Sequence, residues 1–263
     1  MREEGKGKSE ELPPGDQIFP LPSYLFPLIS SLIPHPSSLS PPMRLFRILL
    51  RIVLALFLLS IGSVVLYRYV PVPVTPLMVK NAVKAALKGE PTTFHHDWVP
   101  MEEISPHLAD AVVASEDQRF YQHSGFDWKE IGNAIEERKA GKRKRGGSTI
   151  SQQTAKNVFT FCTSTWARKA VEAYYTVLIE WLWPKERILE VYLNSIEMGP
   201  RIYGAEAVAR HHFGKSADGL TRSDCALIAA TLPNPKRYSS KVPSDYMRRR
   251  QNDILVQMKL MGK

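Results

Sequence analysis

Cysteine is nearly absent: the 263 residues contain only Cys162 and Cys225. Two thiols cannot make a disulfide framework, and neither has metal-ligand spacing, so a stapled secreted module and a zinc-built domain are both excluded. Cys225 lies in DCALIAATL, where a small buried residue is expected. Alternating strand-like runs bounded by turn residues are scarce, which argues against a sandwich or barrel. Internal repeats are absent, and no glycine-rich loop has nucleotide-binding spacing, so an ATP site is not expected. Acid is in short supply as well. Lys and Arg number 35 against 26 Asp and Glu, a net charge of +9. The first 42 residues hold Arg2, Lys6 and Lys8 against Glu3, Glu4, Glu10, Glu11 and Asp16, so the remainder carries +11. Such a surface suits polyanions, whether nucleic acid, anionic lipid headgroups or a diphosphate, and charge alone does not choose among them.

What is present begins with an unusual leader. Residues 11–42 are crowded with Pro, Ser and Leu (LPPGDQIFPLPSYLFPLISSLIPHPSSLSPP). Proline withholds a backbone donor and blocks helix continuation, so residues 1–42 are expected to form no packed element. Met43 then opens a more ordinary basic-then-apolar start, RLFRILLRIVLALFLLSIGSVVLYRYV, which marks 1–42 as a disordered leader or a misplaced gene start. No charge interrupts residues 52–67, and 48–70 is long enough to cross a bilayer if Arg51 and Arg68 snorkel. Arg44, Arg47 and Arg51 ahead of the run place the N-terminus in the cytoplasm. The run ends in Tyr-Arg-Tyr-Val-Pro without a small-x-small cleavage site, which favours an uncleaved anchor over 45–70.

Beyond Pro76 the punctuation is helical, over a domain expected to run 76–263. Ser105 and Pro106 supply a cap and a first-turn proline ahead of HLADAVVASE. Asp127 and Glu130 read as a capping box opening WKEIGNAIEERKAG, closed by Gly141. Ser148 or Thr149 can cap TISQQTAKNVF. A long pattern over 165–183 stops at Pro184, which can start KERILEVYLNSIEM. YGAEAVARHHFG, RSDCALIAATL and DYMRRRQNDILVQMKLM complete a mostly α domain. The run 138–145 (RKAGKRKR) is either a solvated connector or an anionic-surface contact.

Two stretches carry chemistry. In SEDQRFYQHSGFDW, Glu116 follows Val112 and Val113 at helical spacing, which puts its carboxylate at the margin of the core. Beside Arg119 and His123 it fits an acid or base, and equally a structural ion pair. In GGSTISQQTAKN, flexible glycines lead into a capped helix start suited to anions. Gln152 and Lys156 share one face there, and Gln153 and Asn157 another. Arg168 and Glu172, at i,i+4, form either a surface pair or a cleft lining.

Together these segments resemble the peptidoglycan glycosyltransferases of carbohydrate glycosyltransferase family 51, and in particular the monofunctional members with a single anchor. The resemblance covers about residues 95–240. The motif Glu-Asp-x-x-Phe-x-x-His-x-Gly-x-Asp is met at Glu116, Asp117, Phe120, His123, Gly125 and Asp127. Gly-Gly-Ser-Thr-Ile-x-Gln-Gln-x-x-Lys-Asn is met from Gly146 to Asn157 in sequence. Arg-Lys-x-x-Glu falls at Arg168, Lys169 and Glu172, and Lys-x-x-Ile-Leu-Glu-x-Tyr-Leu-Asn runs from Lys185 to Asn194 in sequence.

The resemblance implies a lysozyme-like, two-lobed helical fold and lipid II as substrate, a disaccharide-pentapeptide on undecaprenyl diphosphate. It implies Glu116 as general base and Glu172 in catalytic support. Substrate binding is expected at Asp117, Arg119, His123, Ser148, Thr149, Gln152, Gln153, Lys156, Asn157, Arg168 and Lys169. No cofactor is required and no metal ligand is assigned, although a divalent cation (Mg or Mn) could assist at the diphosphate. The product would be a linear β-1,4 glycan strand, with undecaprenyl diphosphate released. Bifunctional relatives add a transpeptidase domain with Ser-x-x-Lys and Lys-Thr/Ser-Gly motifs, and neither occurs here. Cross-linking would fall to partner transpeptidases, alongside division or elongation proteins. The expected location is the cytoplasmic (inner) membrane, single-pass, with the catalytic domain outside and no nucleic-acid partner. Two alternatives are a lytic transglycosylase that cuts glycan with Glu116 as acid, and an idle scaffold that binds lipid II.

Overall fold

A computed structural model describes residues 41–141, 147–161 and 166–262. The leader up to residue 40, Cys162 and residues 142–145 of the 138–145 basic run lie outside the described residues.

Helix α1 spans Pro41–Tyr69, and its stretch Met43–Tyr69 is long and apolar enough to cross a membrane. From Leu58 onward α1 belongs to the compact body of the protein, which runs Leu58–Lys263. A helix end leaves carbonyls without partners. Here the domain supplies donors for them. Arg187 donates to the Tyr67 carbonyl at 2.8 Å and the Val70 carbonyl at 2.7 Å. Trp183 Nε1 donates to the Val64 carbonyl at 2.7 Å, and Arg68 reaches the Leu182 carbonyl. Val64 and Val72 are buried in the main core. The last turns of the apolar helix are therefore bolted to the domain.

Helix α2 (Pro76–Ala86) starts with Pro76 at its first position, capped by the Thr75 hydroxyl. Helix α3 is Pro106–Glu116 and α4 is Trp128–Lys139. Ser105 takes the cap position of α3 with no side-chain cap bond; its hydroxyl donates instead to the Leu220 carbonyl at 2.9 Å. Asp127 Oδ1 caps α4, accepting from the amides of Lys129 and Glu130 at 3.1 Å each. Helix α5 is Ile150–Phe159, α6 Trp166–Leu182 and α7 Lys185–Ser195. Pro184 separates the last two because it withholds the amide that would continue the ladder. Helix α8 is short (Ala205–Val208) and widens into a π turn, Ala209–Phe213, where a regular helix was expected. Helix α9 is Arg222–Ala229 and α10 is Asp245–Met261.

A small three-stranded sheet joins β1 (His95–His96), β3 (Ile202–Tyr203) and β2 (Glu197–Gly199) in that order. β1 pairs with β3 in parallel, and β2 pairs with β3 in antiparallel fashion. Such short strands leave no alternating signature. Tight approach explains Gly204, which has φ +85° and would place a Cβ 2.6 Å from the Asn194 carbonyl oxygen.

Two helical groups form the core. Helices α3, α9 and α10 pack on one another, and α5 packs against α6 and α7. Leu108, Val112 and Ile228 are fully buried in the cluster, as are Ile179, Leu189 and Tyr192. Truncating such a side chain to Ala costs about 2–5 kcal/mol. Cys225 is buried, with its thiol pushed up to about 12 by loss of hydration. It is a packing residue, as its apolar neighbours suggest.

Candidate active site

Helix α3 ends at Glu116, and Asp117 leaves the helical region with φ −158° and ψ 76°. Two adjacent carboxylates thereby part ways. Asp117 turns inward and is buried. Its oxygens accept from His123 Nε2 at 3.0 and 3.1 Å, and from the Ile150 amide at 3.0 Å. Ile150 is the first residue of α5, so Asp117 sits on the positive end of that helix. One carboxylate thus joins the two sequence segments that carry chemistry.

Glu116 stays half-buried on the wall of a cleft of about 840 Å³. Gln153 Nε2 donates to its Oε2 at 2.9 Å. The Tyr192 hydroxyl donates in turn to Gln153 Oε1 at 3.3 Å. Loss of hydration raises the Glu116 pKa above its ordinary value. The Gln153 bond and the charges of Arg250 and Lys156 oppose that rise, and Asp117 adds to it. A carboxyl moved toward neutral pH is a better proton acceptor than an ordinary glutamate.

Arg119 and His123 do not flank Glu116 as the sequence suggested. Arg119 pairs with Asp127 at 2.7 Å and His123 with Asp117. The chain leaves α3 at Asp117 and enters the 3-10 turn Phe120–Gln122, so neither side chain continues the helical face of Glu116. Gly125 follows at φ +87°, where a Cβ would meet Thr176 Cγ2 at 2.8 Å. The Thr149 hydroxyl donates to the Gly125 carbonyl at 2.6 Å.

Asp117, His123 and Asp127 bring one ligand-type atom each within 4.8 Å of one another. Their bonding fits a cation poorly. Asp127 Oδ1 already holds Arg119 and two amides, and both Asp117 oxygens accept hydrogen bonds. Arg119 also supplies the positive charge. Only His123 Nδ1 and Asp127 Oδ2 remain without a partner in this cluster. The three residues work as a clamp between segments, and no catalytic step need pass through a metal held there.

The second segment divides in use. Thr149 and Gln152 form a reciprocal capping box, with Thr149 accepting from the Gln152 amide and Gln152 Oε1 from the Thr149 amide. Both are buried by that role, whereas Ser148 is exposed on the cleft. Asn157 is buried, and Gln153 and Lys156 emerge from α5.

On α6, Glu172 is only 3% exposed and is gripped by Arg168 at 2.7 Å and Lys169 at 2.5 Å. Lys156 lies within their field. Burial against neighbouring protein lowers its pKa, Glu172 raises it, and Arg168, Lys169 and Lys80 lower it further. Its side chain nonetheless retains solvent contact. Lys156, Arg168 and Lys169 form a cation cluster organised around one buried acid. Lys156 connects that cluster electrostatically to Glu116.

A family model described as transglycosylase matches residues 82–259. The chain belongs to the transglycosylase family. Curated relatives named biosynthetic peptidoglycan transglycosylase include one from Bacteroides thetaiotaomicron, 52% identical over 223 residues, 85% of this chain and 90% of that protein. One from Bdellovibrio bacteriovorus is 51% identical over 207 residues, covering 79% and 83%. One from Pasteurella multocida is 50% identical over 211 residues, covering 80% and 86%.

The transglycosylase cleft also draws on α10, which the motifs do not reach. Arg250, Asp253, Ile254 and Gln257 line it. Arg250 Nη2 lies 3.5 Å from Ser115 Oγ and acts on the Glu116 charge. Nothing local in DYMRRRQNDIL marks Arg250 out from its two arginine neighbours. In the fourth motif Tyr192 reaches the Glu116 network through Gln153, and the other contacts are structural. Asn194 bonds both backbone groups of Val99, at 2.9 and 3.1 Å, and Arg187 secures the end of α1.

Proposed function

We propose that this transglycosylase polymerises lipid II into linear β-1,4 glycan strands by inverting transfer, releasing undecaprenyl diphosphate. The observation that carries the reading is the pairing of a cleft-wall carboxylate, Glu116, with a cation cluster held by Glu172. Glu116 accepts the proton of the acceptor sugar's 4-hydroxyl as that oxygen attacks C1 of the donor, a role worth about 10²–10⁴-fold. Attack from the face opposite an α-linked diphosphate gives the β bond. A glycosidase needs a second carboxylic acid to protonate its leaving oxygen. A diphosphate leaves as a stable anion, and what it needs is positive charge and donors. Lys156 and Arg168 supply the charge, Ser148 can donate a hydrogen bond, and Glu172 holds the cations in place. A Mg or Mn ion arriving with the diphosphate would be held by phosphate oxygens, with no step depending on it.

The remaining residues of the proposed site act through support. Asp117, His123, Arg119 and Thr149 fix the positions of Glu116 and α5, and Gln152 completes the cap. Residues 45–70 would anchor the protein once through the cytoplasmic membrane, N-terminus inside and the domain 76–263 outside. The arginines before the apolar run support that orientation. Transpeptidases and the elongation or division machinery are the partners such a product calls for.

Purified full chain incubated with labelled lipid II should produce long, muramidase-sensitive glycan and free undecaprenyl diphosphate. Cleavage of preformed glycan with no polymer would establish the lytic alternative instead. Binding without turnover would leave the scaffold.

A further inference from the structure

Helix α2 follows the apolar helix after a short connector, residues 70–75, and only one side of it packs on the domain. Pro76, Met78 and Ala85 are buried. Val79 and Val83 on α2, with Leu87 at its C-cap, are 42, 54 and 83% exposed at successive i,i+4 positions. Lys80 and Lys84, with Lys88 in the turn that follows, are each one residue further on and exposed as a second row. At 100° per residue, the two rows occupy adjacent sectors of the outer face, apolar on one side and cationic on the other. Among the described residues, Lys80 and Lys84 make no ion pair, and Lys88 makes a solvent-exposed one with Glu90 at 3.9 Å. Such an exposed pair contributes little.

An apolar sector bordered by lysines is how a helix lies in a bilayer interface, with its aliphatic side sunk at the acyl boundary and its ammonium groups at the phosphates. Exposure of three large aliphatic side chains in a row is otherwise costly on a helix already fixed by its Thr75 cap. The nearby end of α1 supports the same level for the membrane surface. Tyr69 and Trp181 are 73 and 79% exposed, and Arg68 bonds the Leu182 carbonyl beside Trp181. Exposed aromatics with an arginine mark such a boundary.

We infer that α2 is an interfacial helix, with Val79, Val83 and Leu87 entering the leaflet next to the anchor and Lys80, Lys84 and Lys88 binding anionic phospholipid headgroups. The inference rests on the single-pass anchoring proposed above. It adds a second, lipid-selective contact that orients the domain on the membrane. A single tether leaves rotation about its own axis free; a second contact removes it.

The test reconstitutes the full chain into phosphatidylcholine vesicles with or without about one-third phosphatidylglycerol. Amine acylation of Lys80, Lys84 and Lys88 is read by mass spectrometry against exposed Lys259 as internal standard. The three lysines should react about fivefold more slowly in the anionic vesicles, and the difference should vanish at high salt. Replacing all three by Gln should return amide exchange of α2 in anionic vesicles to its level in neutral ones. Val83→Asp should raise that exchange in both. Equal lysine reactivity in the two vesicle types would overturn the inference. So would protection that appears only when lipid II is added to neutral vesicles, because the row would then serve the substrate diphosphate through Lys80 and Lys156. Release of the protein by alkaline wash would overturn the anchor and the inference together.

Discussion

Glu116 and Glu172 are both carboxylates set in helices beside the same cation, yet their surroundings differ. Glu116 keeps a cleft-facing oxygen, one side-chain donor from Gln153, and a pKa raised by lost hydration. Glu172 is buried and spends both oxygens on Arg168 and Lys169. The first is built to change its proton; the second is built to hold Arg168 and Lys169 in place. A carboxylate's partners, more than its burial, decide which work it can do.

Removing the proton acceptor should break that contrast most severely. Glu116→Gln should lower the polymerisation rate by about 10²–10⁴-fold while lipid II binding stays near normal. The same change should raise thermal stability at neutral pH. A carboxyl with raised folded-state pKa stabilises below its unfolded pKa and loses that contribution as pH rises through the folded value, so its ionised form is a burden at neutrality. Calorimetry at neutral and acid pH checks this, and the gain should shrink in acid.

Glu172→Gln should act next most strongly, and differently. Arg168 and Lys169 lose a charged acceptor, so kcat/KM should fall about tenfold to a hundredfold, mostly through KM. A loss as large as that of Glu116→Gln, confined to kcat, would erase the distinction between the two acids. Smaller effects should follow the neighbours of Glu116. Gln153→Ala removes the largest influence that holds its pKa down, so the acid limb of the pH–rate profile should move to higher pH. Arg250→Gln should move the same limb in the same direction by less, since its charge ranks below the Gln153 bond. An unmoved limb in both variants would assign that titration to another group.

The helical part of the fold was legible in the sequence because its signals are local. Pro106, Pro184 and the Thr149 cap mark helix ends by what they do to their own backbone. Val112 and Val113 place Glu116 at the core margin by simple periodicity. The Glu116–Gln153 bond, by contrast, joins side chains 37 positions apart, and no spacing rule foretells it. Gln152 looked like a cleft residue and is a cap residue because its amide reaches back to its own turn. The three short strands carry too few residues to alternate, and Arg250 enters the cleft only because α10 packs on α3. Long-range packing decided the Glu116–Gln153 bond and the place of Arg250, and a local cap decided Gln152.

The most direct test compares wild type and Glu116→Gln for glycan formation from labelled lipid II, with lipid II binding measured on the same preparations. The proposed mechanism predicts that the variant binds substrate and makes essentially no polymer. Polymerisation by the variant at the wild-type rate would contradict it.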